Sequence, residues 1–314
     1  MVSADAHPVP CPPGQDEGAA SEAAVIQVRV LQVAYGDAEP VAERVARVAG
    51  LVREQRGADL IVLPELWAPG GFAFRAWGDR AESLDGPTVA ALSAAARDVG
   101  AVLHGGSVVE RAAPDARGAD LGPDGRGRWN TSVVLGRDGE VQATYRKVHR
   151  FGFGEGEPVL LEAGEEIVTT PLRNPAGHRV ATLGLATCYD LRFPEMFRAL
   201  LDAGSDVFVV PAAWPAARVE HWELLGRARA LENQSFLVQC NTSGSHSGVE
   251  MGGTSQVVGP RGEVLARAGA GEEVLAVALD LREVENCRRS FPVLGDRRLG
   301  PRDATSPLPA PRSS

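Results

Sequence analysis

Strand-like and helix-like segments alternate along this 314-residue chain in one series and then in a second, and that doubled alternation narrows the available folds more than any other feature. In the first series, residues 25–35 read as a strand. Residues 40–55 read as a helix with Val41, Val45, Val48 and Val52 on one face, and 60–63 as a short, wholly apolar strand. A helix over 88–99 and a strand over 101–110 follow, then a polar loop over 112–128 and two strands within 130–146. The turn joining those two strands, Arg137-Asp138-Gly139-Glu140, carries the Asp-Gly pair that marks a hairpin. The second series has strands over 180–187, 207–211 and 236–241, helices over 194–203 and 219–231, a hairpin over 253–268 and a last strand over 274–279. Strands separated by helices imply an α/β fold, and the hairpins imply mixed rather than purely parallel sheets. The sequence predicts one domain over 25–299, two sheets covered by helices, between Pro/Ser/Ala-rich tails at 1–24 and 300–314.

Composition removes several classes of function. A net charge of −9, with basic residues scattered rather than clustered, argues against a nucleic-acid partner. No apolar run approaches the roughly 18 residues that cross a bilayer, and the first two dozen residues lack the basic and apolar regions of a secretory signal. The four scattered cysteines, Cys11, Cys188, Cys240 and Cys287, are expected to stay reduced, which points to the cytoplasm. The six histidines show no metal-ligand spacing with cysteines or acids, so neither a metal nor another cofactor is expected.

One compositional asymmetry bears on chemistry. Of 32 basic residues, 31 are arginine and one is lysine, Lys147. A bias that replaces interchangeable lysines with arginine would spare a position where a compact ammonium is required and a planar guanidinium is not tolerated. Lys147 lies in Tyr145-Arg146-Lys147-Val148-His149, just after the first hairpin. Two further segments stand out. Leu60-Ile61-Val62-Leu63-Pro64-Glu65 ends a hydrophobic strand on a carboxylate, and ligands bind at the carboxyl ends of strands in α/β sheets. Ala186-Thr187-Cys188-Tyr189-Asp190 takes an apolar strand into a tight turn before Pro194, where a helix can start; the nearby helix N-terminus is expected to favour the Cys188 thiolate. Taken singly, a free cysteine is more often a core residue, a strand-end glutamate a solvated one and a lysine a surface charge.

Taken together, LIVLPE, YRKVH and CYDLRFPE, in that order, resemble the nitrilase superfamily of carbon–nitrogen hydrolases. Val209-Val210-Pro211-Ala212-Ala213-Trp214, the HWELLGRARALEN stretch and Gly259-Pro260-Arg261-Gly262-Glu263 extend the resemblance over roughly residues 25–295. It implies an αββα four-layer sandwich that associates through its helices into homodimers or larger homo-oligomers. It also implies Cys188 as nucleophile, Glu65 as general base, Lys147 with the backbone N–H of Tyr189 as oxyanion donors, and a second glutamate after the lysine. Of the two candidates for that glutamate, Glu155 and Glu157, the spacing to residues 160–164 favours Glu157. Trp214 is expected in the pocket wall, where the resemblance puts it, or else in the core. Arg192 is expected either to touch substrate or, the preferred reading, to brace the nucleophile turn by pairing with an acid. His149 reads as a structural hydrogen-bonding residue, and His221 and Trp222 as helix packing.

The Cys-Tyr-Asp context resembles the amidase branch containing ω-amidase and Nit proteins, and it implies a small amide, often of a dicarboxylic acid, as substrate. N-carbamoyl amides and nitriles are the alternatives within the superfamily, although true nitrilases carry Cys-Trp-Glu. A thiol-redox or binding protein is the alternative outside it. The chain departs from the family pattern at Pro69-Gly70-Gly71-Phe72 and at the insert 112–128, which leaves the pocket shape open.

Overall fold

A computed structural model describes residues 25–298 apart from Pro114, so the tails expected at 1–24 and 300–314 lie outside the described residues. In chain order the first half contains β1 (Val25–Gln32), α1 (Val41–Arg53), β2 (Leu60–Val62), α2 (Trp77–Arg80), α3 (Pro87–Val99), β3 (Val102–Arg111), β4 (Arg128–Leu135) and β5 (Val141–Arg146). The second half runs α4 (Glu157–Leu160), β6 (Val168–Arg173), β7 (Arg179–Leu185), α5 (Pro194–Asp202), β8 (Val207–Ala212), α6 (Val219–Asn233) and β9 (Phe236–Asn241). The short strands β10 (Ser245–His246) and β11 (Val249–Glu250) pair with each other, and β12 (Gln256–Val258), β13 (Val264–Arg267), β14 (Glu273–Asp280) and α7 (Arg282–Ser290) complete the chain.

Two six-stranded sheets form, ordered β14-β1-β2-β3-β4-β5 and β13-β12-β9-β8-β7-β6. Each has three parallel strands at its centre, β1-β2-β3 in one and β7-β8-β9 in the other, flanked by antiparallel strands. The doubled series in the sequence is therefore a doubled sheet.

Side-chain alternation sets the layers. Val28, Val30, Leu60 and Val62 face the second sheet, where they join Leu183, Leu185, Val207 and Val209 in the inter-sheet core. Their neighbours Leu31, Ile61, Leu63 and Leu103 face the other way, onto Val45, Val48 and Val52 of α1 and Leu92, Ala95 and Ala96 of α3. Helices α5 and α6 cover the second sheet through Phe197, Leu200, Trp222 and Ala230. This is the expected αββα sandwich. Burial of each such Val, Leu or Phe contributes about 1.5–3 kcal/mol.

The sequence reading lacks the short α2, α4, β10 and β11, and two longer elements, β6 and α7, escaped it for physical reasons. β6 contains Pro171, which argues against a strand, but β6 is an edge strand, where a missing N–H is tolerated. α7 is strongly polar and buries only Val284 and Cys287, which leaves little apolar periodicity to read.

Candidate active site

Glu65 sits three residues beyond the end of β2, and the chain around it is held by β3 and α1. Leu66 adopts a left-handed φ of 45° directly after it. The Leu66 N–H donates to Ser107 Oγ at 3.1 Å, and Trp67 Nε1 donates to the Gly105 carbonyl at 3.0 Å. β3 breaks its register between His104 and Ser107, and a Cβ at Gly106, whose φ is +71°, would run into the Pro64 carbonyl. That bulge is thus the space in which the Glu65 turn is seated. From the far side the buried guanidinium of Arg44 donates to the carbonyls of Trp67 and Ala68 at 3.1 and 3.2 Å.

Lys147 directly follows β5, and its backbone is gripped on both sides. Its N–H donates to the Asn130 carbonyl and its carbonyl accepts from Gly164, at 2.9 and 2.8 Å. Its ammonium donates to Glu65 Oε1 and to Glu157 Oε2, each at 2.8 Å. Asn130 Nδ2 donates to the same two carboxylates, to Glu65 Oε1 at 2.8 Å and to Glu157 Oε1 at 2.6 Å. Backbone donors complete the set: Ala213 N–H to Glu65 Oε2 at 2.9 Å and Phe151 N–H to Glu157 Oε2 at 2.5 Å. All four side chains are buried.

Cys188 follows β7 with φ 47°, a left-handed conformation that costs a non-glycine residue on the order of 1–3 kcal/mol. Asp190 over-determines the turn. It accepts from Thr187 N–H and Tyr145 Oη through Oδ2, at 2.8 and 2.7 Å, and from His149 N–H through Oδ1 at 3.0 Å. His149 Nδ1 also contacts Oδ1 at 2.8 Å, while its ring stacks on Phe193 at 3.7 Å, the structural role expected of it.

The electrostatics correct one expectation. Burial pushes the Cys188 thiol well above its usual range, and the Glu65 carboxylate adds to this by its charge and by accepting a hydrogen bond from the thiol. Lys147 works in the opposite sense and does not win. The resting nucleophile candidate is a neutral thiol, not the thiolate that the turn-to-helix geometry suggested. For Lys147, burial disfavours the charge, but the carboxylates of Glu157 and Glu65 outweigh it and hold the ammonium protonated. Burial raises the pKa of Glu157, against the pull of Lys147.

The structure thus brings Glu65, Lys147, Glu157 and Cys188 around one cavity, which also reaches Phe72, Phe74 and Ala213. Glu155 is exposed and takes no part. An adjoining cavity shares Cys188 and is lined by Tyr189, Arg192, Trp214, Phe151 and Arg218. Trp214 lines this cavity and also belongs to the inter-sheet core. Arg192 departs from its preferred reading: among the described residues it pairs with no acid, and it lies over the Trp214 ring at 4.7 Å and approaches His221 Nδ1 at 3.4 Å. His221 is accordingly exposed rather than packed, whereas Trp222 is fully buried.

Asn130 and Arg218 were missed from the sequence. A signal for Asn130 existed: with Ser132 it puts polar side chains on the face of β4 where Val134 is core, and polar groups at core positions mark sites. Arg218, one arginine among 31, had none.

Comparison with known proteins gives a consistent set of likenesses. The family model described as carbon–nitrogen hydrolase matches residues 22–289. The 2-oxoglutaramate amidase of Paenarthrobacter nicotinovorans is 44% identical over 273 residues, 87% of this chain and 90% of that protein. A CN-hydrolase superfamily protein from Xanthomonas campestris, solved with an arsenic adduct in the active site, superposes with a TM-score of 0.76 at 28% identity, over 88% of this chain and 98% of that one. A mutant of a Nesterenkonia amidase, solved with the acetamide moiety of fluoroacetamide added covalently at the active site cysteine, gives a TM-score of 0.68 at 28% identity, over 89% of this chain and 99% of that one.

Proposed function

Since the chain belongs to the carbon–nitrogen hydrolase family and is an amidase of it, we propose that it hydrolyses the amide of a small carboxylic acid through a thioester on Cys188, releasing ammonia. The observation that carries this reading is the buried cluster of one ammonium and two carboxylates beside a neutral thiol. Glu65 Oε1 is occupied by Lys147 and Asn130, whereas Oε2 has one donor, Ala213 N–H, and keeps an acceptor site for the thiol proton.

As the sulfur attacks the amide carbon, Glu65 takes the thiol proton and the carbonyl π electrons move onto oxygen. The oxyanion is held by Lys147 and the backbone N–H of Tyr189, and losing one such donor costs on the order of 3 kcal/mol. Glu65 then delivers the proton to the nitrogen, the C–N bond breaks and ammonia leaves. A water deprotonated by Glu65 adds to the thioester, the C–S bond breaks, the carboxylic acid is released and Glu65 returns the proton to the sulfur, regenerating the thiol. Glu157 keeps Lys147 aimed and charged throughout. By the same reading Trp214 forms the pocket wall.

The likeness to a 2-oxoglutaramate amidase extends the proposal to monoamides of dicarboxylic acids. The reduced state of Cys188, Cys240 and Cys287 suits a reducing, cytoplasmic setting, and no helix among the described residues is long and apolar enough to cross a membrane. We further propose a homo-oligomer formed through the outer helices, supported by the exposed Leu224 and Leu231, two turns apart on α6. The single domain is assigned to residues 25–299. Ammonia release across small amides, N-carbamoyl acids and nitriles tests the substrate reading. Activity on the amides supports it, and activity confined to nitriles overturns it.

A further inference from the structure

Several arginines partly withdrawn from water face an acid, while others, such as Arg198 and Arg288, donate to backbone carbonyls. Arg44 meets Glu39 at 3.2 Å, Arg47 meets the same carboxylate at 2.8 Å, Arg137 meets Asp59 at 2.7 Å and Arg229 meets Glu232 at 3.0 Å. Two arginines in the wall of the Cys188 cavity do not. Among the described residues, the Arg192 guanidinium hydrogen-bonds only to His221 Nδ1, from Nη1 and Nη2 at 3.4 Å, and no carboxylate pairs with Arg218.

Aromatic faces hold both guanidiniums instead. Arg192 lies 4.7 Å from the Trp214 ring centroid and 5.9 Å from that of Tyr189, and Arg218 lies 5.4 Å from that of Phe151. The two are close enough that burial and the charge of Arg218 together hold the Arg192 pKa below its usual value. In a chain with nine more acids than bases, two adjacent, partly buried like charges without a counter-ion form an incomplete site. Aromatic rings orient a guanidinium but leave its in-plane N–H fork free, and that fork matches a carboxylate.

We propose that Arg218, together with Arg192, is the specificity-determining pair that binds a carboxylate at the end of the substrate remote from the scissile amide. This rests on the amidase reading above and adds to it the residues that select the substrate. The amide end lies among Cys188, Glu65 and Lys147, and the anionic end lies against the two guanidiniums in the adjoining cavity. The pocket then favours a short linear monoamide acid over a neutral amide of equal length. Arg218 carries the sharper assignment, because Arg192 also touches the nucleophile turn through Tyr189.

The test compares kcat/KM for glutaramate, the monoamide of a five-carbon diacid, with that for pentanamide, its neutral counterpart. Wild type should prefer glutaramate. Arg218→Met, which keeps an apolar stem against Phe151, should lower the glutaramate-to-pentanamide ratio about 10- to 100-fold, mainly through KM for glutaramate. Arg218→Lys should restore part of that ratio, and Arg218→Glu should push it lower still. If Arg218 only braces the loop, both kcat/KM values fall together and the ratio stays within about twofold, which overturns the assignment while leaving the amidase reading intact. Failure of wild type to hydrolyse either amide, with nitriles or N-carbamoyl acids turned over instead, contradicts the amidase reading itself and the carboxylate site with it.

Discussion

Lys147 and Glu65 meet as a buried ion pair, Nζ to Oε1 at 2.8 Å, with their side chains only 2% and 4% exposed. Such a pair is weak evidence for stability, because desolvation offsets most of the attraction. Its value lies in what each partner becomes. Glu65 keeps Oε2 open as an acceptor while Oε1 is held, and Lys147 stays a cation although buried. The only lysine in a chain with 31 arginines therefore occupies a place where a guanidinium would meet two carboxylates at once with no room for its fork.

Replacing Lys147 separates charge from shape. Lys147→Arg should fold but lose at least about 1000-fold in kcat, since the oxyanion donor is misplaced. Lys147→Ala should in addition lose about 3–5 kcal/mol of stability, because two buried carboxylates then face each other uncompensated. Ammonia release and urea denaturation of both variants check this.

Asn130 ties the two carboxylates together with one amide group. In Asn130→Leu, Glu157 loses a donor that lowers its pKa, so that pKa rises further and Glu157 protonates at higher pH. A protonated Glu157 no longer balances Lys147. The acid limb of the kcat/KM profile should therefore move to higher pH, with kcat down about 10- to 100-fold and KM little changed. A profile that keeps its acid limb would assign Asn130 a purely structural part.

The neutral resting thiol can be read by alkylation. With its pKa held well above the ordinary thiol value of 9.0, Cys188 should react with a small uncharged alkylating agent at a rate that climbs with pH and reaches no plateau below about pH 9. A plateau near neutrality would instead reveal a preformed thiolate paired with Lys147.

Gly106 is the backbone position on which the Glu65 turn depends. Gly106→Ala forces a Cβ onto the Pro64 carbonyl at a left-handed φ, and both backbones are fixed by β3 and Arg44. It should cost more than about 3 kcal/mol and abolish activity. Gly177→Ala, at φ +83° with nothing within 4 Å of the added methyl, should cost only about 1–2 kcal/mol and spare turnover. Chemical denaturation of the two variants side by side makes the comparison.

What the sequence disclosed follows a physical pattern. Glu65 and Cys188 each follow a strongly apolar strand, so their positions at strand ends can be read from hydrophobic patterning; Lys147 is marked by being the one lysine, just after a hairpin, and Glu157 by the resemblance to the family pattern. Asn130 and Arg218 act through contacts distant in sequence: Asn130 reaches Glu65 across 65 positions, and Arg218 joins Cys188 only because the loop before α6 folds over the cavity. The pairing of Arg192 went astray for the same reason, since the acid it was expected to meet could be ruled out only in three dimensions. Edge strand β6 and polar helix α7 were hidden by local composition, a proline in one and the lack of an apolar stripe in the other.

The central claim is that Cys188 carries the acyl group. Acid quenching during turnover of glutaramate, followed by peptide mass mapping, tests it directly. The account predicts that the peptide containing Cys188 gains the mass of the substrate less ammonia, and that Cys188→Ala neither gains it nor releases ammonia. An acyl adduct on any other residue, or undiminished ammonia release from Cys188→Ala, would contradict it.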